Sequence, residues 1–239
     1  CFHGYNRMVR LLIEAGAHID ISSSDKDPVA ASIQRNNIEV VRVLVDKLAD
    51  LGRLKNDLQP SSHWLVNSCY RGRMDLVKYF IDEMQFSTAC TDGEGTTPLI
   101  AACYHNHMEI VVYLLDHGAD VHQWRQLNDG TKFDAMSAAC NEGNVELVLY
   151  LEKRGMDLAN PLRRGDWMVQ AAWCNNINVV KFLHDERGFE LNVPDDSGQT
   201  PIVAACSSGA VAVIDYLHKA GNVSLEAPEK KPKSATSGK

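Results

Sequence analysis

Apolar residues fall at helical spacing in short, paired runs along the chain. MEIVVYLL (108–115) and VELVLYL (145–151) carry apolar side chains at i, i+3, i+4 and i+7, the pattern of a helix with one buried face. A shorter, more uniformly apolar segment comes first, as LIAAC (99–103) precedes the first run. Turn formers open the pair: Asp92, Gly95, Thr97 and Pro98 recur as Asp195, Gly198, Thr200 and Pro201. Asp and Gly favour a tight turn, Thr offers a hydroxyl to cap a helix, and Pro at the first helical position gives up no hydrogen bond. The pattern therefore predicts a unit of turn, helix, helix.

That unit repeats. Residues 92–120 recur as 195–222, with fainter copies elsewhere. Aligning the copies on the small or polar residue that ends each first helix selects Gly4, Asn36, Gly72, Asn106, Gly143, Asn175 and Gly209, at spacings of 32, 36, 34, 37, 32 and 34. Gly16, Gly118 and Gly155 stand at second-helix ends, where a left-handed terminus favours glycine. No unit can bury its apolar face alone, so stability must come from stacking on neighbours.

A period near 33 residues and two D-x-x-G-x-T-P turns in the same register resemble the ankyrin-repeat family over roughly residues 1 to 222. The resemblance implies an all-α solenoid of stacked turn-helix-helix units with β-turn fingers, about seven repeats over residues 1–225, the first one truncated. The chain opens at Cys1, inside what should be a first helix, so further domains are expected in a longer chain. Residues 226–239, rich in Lys, Pro and Ser without apolar periodicity, read as a disordered tail or linker. Two departures from the family pattern stand out. The His of its T-P-L-H motif is replaced by Ala30, Val66, Ile100, Ser137, Val169 and Val203, which removes its usual hydrogen bond between repeats. Trp64 and Trp167 take the proline position, where distorted turns are expected.

Charge and composition narrow the functional classes. The chain of 239 residues is 45% hydrophobic with net charge −7; the tail contributes +2, so the repeats carry −9. An acidic body does not suit phosphate binding, so no nucleic-acid partner is expected. No apolar run approaches the roughly 18 residues that span a bilayer, no secretory signal is visible, and no membrane insertion is expected. Cys1, Cys69, Cys103, Cys140 and Cys206 each fall three residues before a block-ending Gly or Asn. They form one column of small buried hydrophobes, implying a reducing intracellular compartment, cytoplasm or nucleus. Cys90 and Cys174 lie off the column, where accessible thiols are expected. No paired C-x-x-C or H-E-x-x-H spacing supports a metal, and phosphate-loop, nucleophile-elbow and kinase motifs are missing, so neither cofactor nor catalysis is expected. His107 and His117 take structural places at helix ends.

Function then belongs to surface positions that folding does not need. In the family, the last residues of the inner helix face the concave side and make the usual contacts. Here those positions include Arg35, Tyr70, Arg71, Tyr104, His105, Glu142 and Trp173. Tyr, Trp and Arg are enriched in binding hot spots, so Tyr70, Tyr104 and Trp173 form the leading site; each could instead cover the solenoid seam. A second candidate is the long finger between Gly118 and Ala135, where Trp124 and Arg125 stand at an extended tip with Phe133 nearby. The resemblance implies a non-enzymatic module binding a peptide or protein partner on the concave face, part of a larger scaffold or adaptor. Two other readings remain: a modified-lysine reader with an aromatic cage, and the regulatory region of a multidomain enzyme or channel.

Overall fold

The computed structural model describes residues 6–21, 27–51 and 58–221; of 58–62 it describes the backbone. Cys1, Gly4 and the tail expected at 226–239 lie outside the described residues. Inner helices α2 (Pro28–Gln34), α4 (Leu58–Tyr70), α6 (Pro98–Tyr104), α8 (Ala135–Glu142), α10 (Arg164–Trp173) and α12 (Pro201–Ser208) pack successively on one another. Behind them runs an outer layer: α1 (Asn6–Glu14), α3 (Ile38–Asp50), α5 (Met74–Lys78), α7 (Met108–Asp116), α9 (Val145–Lys153), α11 (Ile177–Lys181) and α13 (Val211–Gly221). The expected turn-helix-helix stack is thus realised.

The helix ends sit where the sequence pattern puts them. Asn36, Gly72, Asn106, Gly143, Asn175 and Gly209 all have φ between +54° and +76°. Only Gly, and less readily Asn, adopts this left-handed backbone cheaply, which is why the column alternates between those two residues. The finger turns are also built as expected. Asp92 Oδ1 accepts the N–H groups of Glu94 and Thr96 at 2.9 and 2.8 Å; Asp195 Oδ1 accepts those of Ser197 and Gln199 at 2.9 and 2.8 Å. Thr97 caps α6 through Ile100 N–H at 3.1 Å, whereas Thr200 makes no such bond to α12.

Between the layers lies a continuous core. Ile33, Leu65, Leu99, Met136 and Met168 from inner helices meet Val41, Leu76, Leu114, Leu147 and Val180 from outer ones, all 2% exposed or less. Each such side chain contributes about 1.5–3 kcal/mol on burial. Cys69, Cys103 and Cys140 are completely buried in the same column, and burial pushes all three thiols well up. Cys206 departs from this expectation. It is exposed, because it belongs to the last inner helix of the described stack, where no following helix covers the column.

Trp64 and Trp167 stand inside their helices, six and three residues past the starts of α4 and α10, where Pro98 and Pro201 open theirs. The openings of these two repeats therefore depart from the pattern, as expected. The two indoles also link repeats. The Trp64 indole N–H donates to Asp27 at 2.5 Å, and Trp167 donates to Asp134 at 3.1 Å. Asp27 and Asp134 are the N-caps of α2 and α8, bonded to Val29 and Ser137 N–H at 2.8 and 2.7 Å. The tryptophan of one repeat thereby bonds to the helix cap of the repeat before it. Each Trp also stacks at 6.4 Å on a phenylalanine of its own repeat, Phe80 or Phe189.

In both Trp repeats the outer helix widens into a π-helical turn, Tyr79–Glu83 and Phe182–Glu186. The segments align as VKYFIDEMQF (77–86) and VKFLHDERGF (180–189), 103 residues apart, the same offset that relates Asp92 to Asp195. The offset also relates two hydroxyl bonds across outer helices: Tyr113 to Asp82 at 2.5 Å and Tyr216 to Asp185 at 2.7 Å. These features of the finer structure therefore recur three repeats apart.

Candidate functional site

The finger before α8 is a hairpin of β1 (Trp124–Gln126) and β2 (Lys132–Asp134), with Arg125 opposite Phe133. Strand alternation separates its side chains. The Arg125 guanidinium lies 5.6 Å over the Phe133 ring and pairs with Glu94 at 3.0 Å. Trp124, 49% exposed, sits under the Lys132 ammonium at 5.5 Å and lines a different recess with Leu162 and Trp167. Trp124 and Arg125 therefore do not form one contact surface. Phe133 does not project to a partner either: it is 4% exposed, because its hairpin folds down onto the inner helices.

Tyr70 and Tyr104 end α4 and α6 and therefore stand side by side. Their rings are 6.5 Å apart and nearly parallel, at 16°. His105 meets Tyr70 edge-on at 4.0 Å and Tyr104 at 5.2 Å, and Phe133 lies 6.1 Å from Tyr104. His107 fixes the register, its Nε2 lying 3.1 Å from the Tyr70 carbonyl. Tyr70, Tyr104 and Phe133 bound a cleft of about 420 Å³ whose rim is Asn67, Asp92, Glu94 and Arg125. Burial lowers the His105 pKa, opposed by Glu142 and reinforced by His107 and Arg71.

Trp173 does not join the tyrosines. It is 46% exposed at the end of α10 and faces a second cleft of about 200 Å³ with Asp129, Lys132, Gln170 and Gln199. Phe133 lines both clefts and forms the partition between them. Arg35, Arg71 and Glu142 are all exposed, with Arg71 Nε donating to Asn67 at 2.8 Å. Cys90 and Cys174 are half-buried rather than open, and burial raises both thiols, Cys90 to about 11.

Sequence reasoning missed the finger residues Asp92, Glu94 and Thr96 as cleft walls. For Glu94 and Thr96 the signal lay in the motif itself, since the D-x-x-G-x-T-P turn leaves its intervening positions free to vary, whereas Asp92 is the motif's own turn residue. No group of His, Cys, Asp and Glu among the described residues is arranged to hold a metal ion. No helix among them is long and apolar enough to cross a membrane.

Two family models match the sequence. One, ankyrin repeats in three copies, matches residues 63–161; the other, ankyrin repeats in many copies, matches residues 168–218. No curated protein matches it.

Proposed function

We infer that this chain, which belongs to the ankyrin-repeat family, is a non-enzymatic module binding a peptide or protein segment along its inner-helix side. Ankyrin repeats are generally protein interaction modules and typically not enzymes. The observation that carries the finer reading is the parallel Tyr70–Tyr104 pair, backed edge-on by His105 and left open above a cleft. Such preorganised aromatics give large contact area at small entropic cost. Arg35, Arg71, Arg125 and Glu142 would form the polar surround, Phe133 the floor, and Trp173 a second anchor. Trp124 would stand outside the main groove. We assign residues 1–225 to the repeat domain and 226–239 to a tail, the whole serving a larger scaffold or adaptor in a reducing intracellular compartment without nucleic-acid binding.

The aromatic-cage reading finds less support, because Arg125 already lies over Phe133 and neutralises Glu94. A quaternary ammonium would meet a like charge there.

The test compares wild type with the Tyr70→Ala, Tyr104→Ala, Trp173→Ala triple variant in affinity capture from a reducing cell extract, with thermal unfolding measured alongside. The variant is expected to lose a captured partner while its Tm changes only modestly. Equal capture by both proteins would refute the site, and an unfolded variant would make the aromatics seam packing.

A further inference from the structure

The inner-helix side is not uniform in charge. Arg35 and Arg71 are exposed at one register in successive repeats at its N-terminal end. In the middle, Arg125 and Glu94 neutralise each other beside the tyrosine cleft. At the C-terminal end the cleft before Trp173 is lined by Asp129 and Asp195, with the buried Asp166 already paired to Arg163, and its Lys132 lies 3.6 Å from Asp196. Glu142, also exposed, ends α8, the inner helix next to the one that ends at Trp173.

Resting on the peptide-binding reading above, we propose that this gradient selects an extended peptide of bipolar charge. Its carboxylates lie toward Arg35 and Arg71, an aromatic or aliphatic side chain enters the Tyr70–Tyr104 cleft, and a Lys or Arg lies over Trp173 among the carboxylates. A cation over an indole face is attracted by the ring quadrupole, and the surrounding acids fix its place. Arg71 and Trp173 end inner helices three repeat steps apart. At about 10 Å per step this is about 30 Å, which an extended chain covers in about nine residues.

The experiment selects binders to the purified chain from a random dodecapeptide library, then measures affinities by fluorescence anisotropy. Enriched peptides should carry Asp or Glu near one end and Lys or Arg about nine residues away. Neutralising either end should weaken binding at least fivefold. Glu142→Lys should convert the preference to peptides acidic at both ends, and Arg71→Glu to peptides basic at both ends; both residues are exposed, so the fold is retained. Peptides that require Tyr104 yet bind equally when neutralised would overturn the gradient and leave the groove standing. If no peptide is enriched, or if Tyr70→Ala and Tyr104→Ala leave affinities unchanged, the groove itself fails and the gradient with it.

Discussion

Asp134 joins three residues through one buried carboxylate. Its carboxylate caps α8 through Ser137 and also receives the Trp167 indole and, at 2.7 Å, the Arg163 guanidinium. Arg163 is in turn paired with the buried Asp166. Asp134→Ala removes the cap and leaves a buried cation half-paired, so urea unfolding should show a loss of about 3–5 kcal/mol. Trp167→Phe keeps most of the volume and removes one donor, and should cost about 1 kcal/mol. His105 makes a pH prediction with a definite sign. Its folded pKa lies below its unfolded value because burial disfavours the imidazolium. The unfolded chain therefore takes up a proton first, and stability is lost as pH falls below about 6.5. His105→Phe should lose less stability between pH 7 and pH 5 than wild type, read from urea midpoints; identical curves would contradict the assignment.

The two Trp repeats share their devices as whole elements: an indole bonded to the preceding cap, a π-helical outer turn and a tyrosine from the next outer helix. Tyr113 and Tyr216 donate to Asp82 and Asp185, and burial together with those carboxylates pushes both phenols up to about 12. Tyr113→Phe and Tyr216→Phe should each cost about 1 kcal/mol by chemical denaturation, and by similar amounts if the three-repeat period is real. Much of this architecture was legible beforehand. Helix ends could be placed because left-handed backbone admits few residue types, and the fingers because Asp, Gly, Thr and Pro have fixed turn chemistry. The Trp–Asp bonds were not, because their partners lie 33 to 37 residues apart and each residue alone looks like a defect in the consensus. Phe133 was misread for a related reason. Finger length predicts projection, whereas strand alternation sends Phe133 inward, and the direction of the hairpin is set by packing.

Across the whole molecule, stacking decides which surfaces are covered and which remain to bind. The thiol column reports this directly. Among the described cysteines under native conditions, Cys206 should react first with a thiol reagent and Cys90 and Cys174 slowly, while Cys69, Cys103 and Cys140 should react only on unfolding, as peptide mapping would resolve. Early labelling of Cys103 would contradict the stacked register. Tyr70 and Trp173 are exposed in spite of this stacking and Tyr104 is half-buried beside Tyr70, and the central claim is that a partner covers them. The direct measurement places a photo-crosslinking benzoylphenylalanine at position 70, at 173, or at the exposed outer-helix positions Leu149 and Val211, and irradiates cells producing the protein. A common adduct from 70 and 173, missing from 149 and 211, is the expected result. Adducts from the outer positions alone would show that the partner docks on the other layer, and the groove would lose its role.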